Sequence, residues 1–240
     1  RSTLFPYTTL FRSNRYPNVR ILTWKKEFNY SAINNFAVRE ARGEYLLFLN
    51  NDVEIITENW LEEMLQLCQQ KDVGMVGAKL YYPDDTIQHA GVVVGLGGVA
   101  AHVLCKLPRD AEGYMGRLRC VQEISAVTAA CMMVKTSVFK AVGGFDEELK
   151  VAFNDIDLCM KVRKYGVKIV FTPYAELYHY ESKSRGMEDT PEKQLRFSRE
   201  VNCFRRKWER ELLKGDPYYN PNLTLNNTDC SLRKQEKNGD

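Results

Sequence analysis

Residues 45–49 form an unbroken apolar run, and three polar residues follow at 50–52. The whole stretch reads Tyr45-Leu46-Leu47-Phe48-Leu49-Asn50-Asn51-Asp52. A continuous apolar run of this length predicts a strand that is buried on both faces of a sheet. Ligands of open α/β sheets bind beyond the carboxyl ends of such strands, so the polar triplet lies where a ligand would bind. The same triplet could instead form a turn in which Asn and Asp bond their own backbone.

The segments around this run alternate between strand and helix patterns. Residues 19–23 and 73–81 are rich in β-forming residues, and apolar residues recur at helical spacing in 31–43 and 57–68. Because strand, helix, strand, helix and strand follow one another, the sequence predicts an α/β fold whose sheet is mainly parallel, with helices flanking it.

The second half of the chain predicts two more helices. One is expected from about Asp155 to Tyr165, and a long C-terminal one from Pro191 to Gly215, with proline at its first position. Short strands are expected at 168–171 and 176–180. The long helix carries eight basic and four acidic residues. Its apolar face either docks on the domain or lies near an anionic membrane surface, giving a peripheral membrane contact.

Composition excludes several classes of protein. With 44% hydrophobic and 27% charged residues, the 240-residue chain is globular rather than disordered. A net charge of +3 from 34 basic and 31 acidic residues is too balanced for a histone-like binder, so no nucleic-acid partner is expected. The seven cysteines form no CxxC pair, which indicates reduced thiols and a cytoplasmic location. Residues 86–105 lack charged side chains, but their glycines and valines favour strands and turns over a membrane span.

The first thirteen residues do not look like natural protein. They repeat Thr-Leu-Phe and Arg-Ser within a very short span and contain no acidic residue. The string resembles the conceptual translation of a DNA-sequencing adapter. Residues 1–13 are therefore expected to be an artefactual leader that is no part of the fold.

Three later features could carry chemistry. Asp155 and Asp157 open a helix, where acids stabilise the helix dipole but one could also transfer a proton. His179 ends a strand-like alternation and is either structural or a metal ligand. The small, basic stretch 182–186, with Ser184 and Arg185, could hold a phosphate.

The order of these motifs resembles glycosyltransferase family 2, the inverting nucleotide-sugar enzymes with a GT-A fold. The likeness covers about 14–232 and is strongest to bacterial surface-polysaccharide enzymes of rhamnosyltransferase type. Those enzymes share Ser125-Ala126-Val127-Thr128-Ala129-Ala130-Cys131, Tyr178-His179-Tyr180-Glu181-Ser182-Lys183-Ser184-Arg185-Gly186 and Asp216-Pro217-Tyr218-Tyr219-Asn220-Pro221-Asn222.

The resemblance implies a role for each matching position. Asp52 and His179 would be metal ligands for Mg²⁺ or Mn²⁺, and Asp155 the catalytic base. The family's Asp-x-Asp keeps only its last acid here, and its Glu-Asp pair is Asn154-Asp155. Donor or diphosphate contacts would come from Asn35, Asn50, Asn51, Ser184 and Arg185, and weaker acceptor-side contacts from Asn154 and Asp157.

The resemblance also implies the reaction and the domain plan. A sugar would pass from a UDP- or dTDP-linked donor to a saccharide or lipid-linked acceptor in surface-polysaccharide synthesis, on the cytoplasmic side of the membrane. The family's first strands have no counterpart, so 14–188 would be a glycosyltransferase domain with an incomplete nucleotide-binding half to about 82. The catalytic half would follow it, and 189–240 would be a C-terminal helix and tail. Two alternatives stay open: a catalytically inactive sugar- or nucleotide-binding relative, and a nucleotidyltransferase.

Overall fold

A computed structural model describes residues 18–181 and 190–234 of the chain. Its helices are α1 (Tyr30–Glu40), α2 (Trp60–Cys68), α3 (Thr136–Ala141), α4 (Asn154–Tyr165) and α5 (Pro191–Lys214). Its strands are β1 (Tyr45–Leu49), β2 (Val53–Ile55), β3 (Val73–Tyr81), β4 (Ile87–His89), β5 (Val92–Val94), β6 (Ala100–His102), β7 (Gln122–Glu123), β8 (Cys131–Lys135) and β9 (Lys168–His179).

The central sheet has the strand order β1-β8-β3-β9-β2, with β4 paired to β3 and β7 paired to β9. The predicted α/β class is confirmed, but the strand directions are mixed rather than mainly parallel. β3 and β9 pair in parallel, whereas β8 is antiparallel to both β1 and β3, and β2 is antiparallel to β9. Between β3 and β8 the chain forms only short strands and 3₁₀ turns, so no crossover helix returns it to run in parallel.

Strand β3 lies at the centre of the fold, and all nine of its residues are buried. From Met75 to Tyr81 its apolar side chains alternate between two clusters, as the period of a strand requires. Met75 belongs to the cluster that includes α3 and α4, and Val76 to the cluster that includes Trp60 and Met64 of α2. Helices therefore cover both faces of the sheet.

Strand β9 runs from Lys168 to His179 as one strand, where two strands separated by a gap were expected. Phe171 pairs with Gly77 and Glu176 pairs with Lys79, so the segment between them bulges opposite a single residue of β3. Pro173 lies in this bulge, where a missing backbone N–H costs no ladder hydrogen bond. The expected strand at 19–23 does not form, and these residues pair with no strand in the described chain.

Helix α5 begins as its sequence predicts and docks on the domain. The Thr190 hydroxyl accepts a hydrogen bond from the Lys193 backbone at 3.4 Å, and Pro191 occupies the first turn. Phe204 and Trp208 are buried in the larger apolar cluster. Within the described ranges 18–181 and 190–234, no helix combines the length and apolar character needed to cross a membrane.

Candidate active site

The pairing of β2 with β9 holds Asp52 beside His179. Val53, the first residue of β2, pairs with His179, the last residue of β9. The backbone N–H of Tyr180 donates to the carbonyl of Asp52 at 2.8 Å, which fixes the turn before β2. As a result, Oδ1 of Asp52 lies 3.2 Å from Nε2 of His179, and both side chains are largely buried.

The neighbours of His179 determine which ring nitrogen carries the proton. Gln88 on β4 donates from Nε2 to the His179 carbonyl at 3.1 Å, which leaves its Oε1 to accept from Nδ1 of the ring at 2.7 Å. Nε2 of His179 therefore carries a lone pair, and it accepts from the amide of Asn50 at 3.1 Å. Burial lowers the pKa of His179 against the opposite pull of Asp52 and Glu181, which favours the neutral ring.

The facing atoms of Asp52 and His179 suit a bound cation. A neutral ring nitrogen and a carboxylate oxygen 3.2 Å apart both carry acceptor lone pairs, and a cation that displaced the Asn50 amide from Nε2 would relieve their repulsion. Oδ1 of Asp52 is buried and accepts no hydrogen bond from the residues that the structure describes. Neighbouring ligands of an octahedral ion at about 2.1 Å lie roughly 3.0 Å apart, close to the observed spacing.

This pair would supply only part of a coordination sphere. The described segments contain no group of three or more His, Cys, Asp or Glu side chains that could hold a metal ion. Mg²⁺ commonly keeps several waters and is bound by one or two protein ligands together with substrate phosphates. The residues present therefore fit a cation that is completed by a diphosphate and water.

Two further histidines adjoin the pair, and sequence reasoning did not assign them to the site. His89 and His102 have their Nδ1 atoms 3.2 Å apart, and His102 Nδ1 lies 3.0 Å from the carbonyl of Gln88. His89 is fully buried, and burial, followed by the charges of His102 and His179, lowers its pKa. The only signal in the sequence was a polar Gln88-His89 pair inside an apolar run.

Asp155 lies in the first turn of α4, as predicted, and is partly exposed. One carboxylate oxygen accepts from the backbone N–H of Ala129 at 3.2 Å, and the other from that of Ile156 at 2.9 Å. Burial raises the pKa of Tyr30, and the nearby charge of Asp155 raises it further. Each carboxylate oxygen is thus held by one backbone donor, and the residue remains partly exposed.

A three-residue backbone segment, 128–130, connects Asp155 to the Asp52–His179 pair. The N–H of Thr128 donates to Nε2 of His89 at 3.4 Å, and that of Ala129 donates to Asp155. The carbonyl of Ala130 accepts from the N–H of Asn50 at 2.9 Å. The segment lies within the motif 125–131. Its contacts with Asp155 and Asn50 are made by backbone atoms, so its side chains gave no sign of them in the sequence.

Three other predicted site residues, Asn35, Asn154 and Asp157, make contacts within the protein. Asn35 uses both ends of its amide on the backbone of Phe145, at 3.0 Å each, so it fixes a turn. Asn154 is buried and donates to the Val151 carbonyl at 2.9 Å. Asp157, predicted on the acceptor side, has no exposed surface and lies against α5.

The remaining donor-site predictions fall on the turn after β1 and on the segment after β9. Asn51 is exposed next to Asn50 in the turn between β1 and β2. Ser184 and Arg185, predicted to hold the diphosphate, lie outside the described residues. The donor-binding roles of these residues, and of Asn35, stay predictions.

A cleft of about 1310 Å³ opens along β9, and its lining includes several charged side chains. Its walls include Thr57, Lys79, Arg109, Tyr174 and Glu176. Arg109 lies 3.2 Å from Glu176, so charges in the wall are paired with each other. Glu176 precedes His179 by three residues on the same strand, which places the cleft about 10 Å along β9 from the pair.

The mixed sheet with helices on both faces is the architecture of the GT-A type, the fold of the solved glycosyltransferases described below. The match to a family model agrees with this class. Residues 14–200 match the model described as "Glycosyltransferase like family", and the chain belongs to that family.

Curated relatives include bacterial polysaccharide proteins. The chain is 57% identical over 215 residues to the uncharacterized protein y4gI of Sinorhizobium fredii, covering 89% of this chain and 24% of that protein. It is 42% identical over 225 residues to the O-antigen biosynthesis protein RfbC of Myxococcus xanthus, covering 93% and 17%. An N-acetylglucosaminyl-diphospho-decaprenol L-rhamnosyltransferase of Mycobacterium tuberculosis is 24% identical over 197 residues, covering 72% and 62%. The chain therefore spans a quarter or less of the first two relatives.

Solved structures share the fold at low sequence identity. A mannosyltransferase of Pyrobaculum calidifontis, in complex with GDP-Man and Mn²⁺, superposes with a TM-score of 0.57 at 15% identity, covering 85% of this chain and 51% of that one. GalNAc-T7 with UDP, GalNAc and Mn²⁺ gives a TM-score of 0.63 at 13% identity, covering 86% and 40%. These similarities establish the fold.

Proposed function

We propose that the protein containing this chain is an inverting glycosyltransferase of cell-surface polysaccharide synthesis. Its donor would be a UDP- or dTDP-linked sugar, and its acceptor a saccharide or a lipid-linked saccharide. The observation that carries the proposal is the Asp52–His179 pair, which is joined to Asp155 through the backbone segment 128–130. The names of the O-antigen and rhamnosyltransferase relatives support the substrate class.

In this mechanism Asp52 and His179 would hold Mg²⁺ or Mn²⁺ against the donor diphosphate. The cation would neutralise charge that develops on the leaving nucleoside diphosphate. Nucleotide-sugar neighbours that contain Mn²⁺ support this choice of ion. Gln88 would keep the lone pair of His179 directed at the site by accepting a hydrogen bond from Nδ1–H.

Asp155 would accept the proton of the acceptor hydroxyl. As that oxygen bonds to the anomeric carbon, the bond from the same carbon to the diphosphate oxygen breaks, and its electron pair leaves with the nucleotide. A single displacement of this kind inverts the anomeric configuration. The partly exposed carboxylate, held by the N–H groups of Ala129 and Ile156, suits a base that must keep one fixed orientation.

The test is a transfer assay with the full-length protein and a panel of UDP-GlcNAc, GDP-mannose and dTDP-rhamnose. The anomeric configuration of the product, read by NMR, should be opposite to that of the donor. A product with retained configuration would overturn the inverting mechanism.

A second candidate, an inactive sugar- or nucleotide-binding relative, is favoured by one specific feature. The triplet Asn50-Asn51-Asp52 supplies a single carboxylate where the related motif has two. Such a protein would bind a nucleotide sugar in a calorimeter without turning it over. Transfer of the sugar from any panel donor excludes it, and release of a sugar 1-phosphate from the donor would point instead to a nucleotidyltransferase.

Gln88→Ala should weaken Mn²⁺ binding without unfolding the protein. Without the Gln88 amide, His179 loses the acceptor that fixes its proton on Nδ1. Changes to such supporting partners cost about 10–100-fold in metal affinity. Mn²⁺ titration of the full-length protein measures the effect. Gln66→Ala, on the exposed surface of α2, is the matched control, and equal affinities for the two variants would contradict the assignment.

We also propose a weak, salt-sensitive contact of α5 with anionic membranes. Arg199, Arg206 and Arg210 are exposed; Arg199 and Arg206 share one stripe of the helix because they are seven residues apart, and Arg210 follows the kink at Trp208. Each could add about 1 kcal/mol at an anionic surface. The full-length protein should sediment with phosphatidylserine vesicles at low salt and be released as salt rises. A triple Arg→Gln variant of these positions should stay in the supernatant, and equal sedimentation of both proteins would contradict the contact.

A further inference from the structure

Helix α5 reaches the backbone that leads into the proposed catalytic aspartate. Glu200 of α5 is only 3% exposed. Its two carboxylate oxygens accept from the backbone N–H groups of Val151 at 2.9 Å and Ala152 at 3.0 Å. Hydrogen bonds to a charged acceptor are among the stronger ones, and both donors lie within four residues of Asp155.

The same helix makes a second attachment just beyond Asp155. Asp157 has no exposed surface and accepts from the indole N–H of Trp208 at 2.8 Å. Nζ of Lys207 lies 2.8 Å from the same carboxylate oxygen, and Nζ of Lys161 lies 3.3 Å from the other. Helix α5 therefore binds the chain on both sides of Asp155, through Glu200 before it and through Trp208 after it.

Between Ala152 and Asp155 the chain is held in a backbone conformation that L-residues rarely adopt. Phe153 has a φ of 62°, in the left-handed region, which is costly for a bulky side chain. Its ring packs against Phe197 at 5.7 Å and Phe204 at 5.5 Å between ring centroids, and both belong to α5. Such a conformation persists only when its surroundings impose it, and here α5 supplies those surroundings.

We propose that Glu200 is a positioning residue, which fixes the orientation of Asp155 by holding the backbone of residues 151–152. The inference rests on the proposed role of Asp155 as the base. Glu200 does not itself meet substrate, because it is buried beneath the loop that it binds. A shift of about 1 Å in a catalytic group can cost 10²-fold in rate, so loss of one of the two hydrogen bonds should be visible in kcat.

The experiment is a double-mutant cycle in the full-length protein, assayed with the panel donor that shows turnover. Glu200→Gln should lower kcat about 10–100-fold and leave the KM for the donor unchanged. In the Asp155→Asn background the same substitution should change the residual kcat less than twofold, because the group it positions is already removed. Glu209→Gln, an exposed acid on the same helix, is the matched control and should leave kcat unchanged.

Hydrogen exchange gives a readout that does not depend on activity. Glu200→Gln should speed amide exchange in residues 150–158 about tenfold, while the melting temperature shows that the protein remains folded. Trp208→Phe is a milder second variant, since it removes only the N–H donor to Asp157 and keeps an aromatic ring in the core. Trp208→Phe should also lower kcat in the native background, and it should leave kcat unchanged in the Asp155→Asn background.

Two results would overturn the inference. Equal losses of kcat in the native and Asp155→Asn backgrounds would show a general structural role, and an unchanged kcat for Glu200→Gln would show that Glu200 has no positioning role, whatever Trp208→Phe does. A wrong assignment of Asp155 as the base would give a different result. Asp155→Asn itself would then lower kcat less than tenfold, whatever the effect of Glu200→Gln.

Discussion

Replacement of Asp155 by asparagine should lower kcat of the full-length protein by about 10²–10⁴-fold, with little change in donor binding. The amide keeps the size of the carboxylate and can still accept from the backbone N–H of Ala129, so the first turn of α4 is retained. It cannot accept a proton from the acceptor hydroxyl. The loss therefore appears in the chemical step rather than in the complex with the donor.

The measurement combines steady-state kinetics with calorimetric titration of the donor nucleotide. Asp72→Asn is the matched control: Asp72 is exposed, pairs with Lys168 at 2.7 Å and lies before β3, in a turn outside the site. It should keep normal kcat and KM. A loss below tenfold for Asp155→Asn would remove Asp155 from the role of base.

Periodicity predicted most of the elements of this fold, because each helix and strand buries one recognisable pattern. The β-forming residues of β3 and the helical spacing in α2, α4 and α5 are local properties of the chain. Strand direction is not local. Nothing in the apolar run of β8 tells whether it enters the sheet parallel or antiparallel to β1 and β3, since this depends on the path of residues 82–130.

The other errors in the predicted fold concern where strands form and where they end. Two strands were expected at 168–171 and 176–180, but β9 takes up the residues between them, Pro173 included, in a bulge opposite β3 and continues. Residues 19–23 have a strand-like composition but pair with no strand in the described chain. β-propensity is realised only where a neighbouring strand offers a partner.

The site was predictable where side-chain chemistry marks it in the sequence. Asp52 and His179 were identified by their motifs, and the pairing of β2 with β9 brings them together. The residues that hold the site residues in place were not predictable, because they act through tertiary contacts. Gln88 lies in an apolar run, and Glu200 looks like any helical acid until its contacts with the backbone of 151–152 are known.

Removal of divalent cations should abolish turnover by the full-length protein, and Mg²⁺ or Mn²⁺ should restore it. The reason is the geometry of Asp52 and His179, whose facing acceptor atoms lie 3.2 Å apart and would both gain from a cation. Without the cation, charge on the leaving diphosphate would be left unneutralised, which forfeits several kcal/mol of transition-state stabilisation. EDTA treatment followed by metal titration in the transfer assay measures this dependence.

Single substitutions of Asp52 and His179 test whether these two residues account for the dependence on a divalent cation. Asp52→Asn keeps the shape of the side chain but removes its charge, and His179→Ala removes the nitrogen that faces it. Each should raise the metal concentration needed for half-maximal donor binding by roughly 100-fold, equivalent to about 2.7 kcal/mol. Asp72→Asn should leave it unchanged. Full activity in EDTA would overturn the metal role of both residues, whereas metal-dependent activity that survives both substitutions would place the cation elsewhere in the protein.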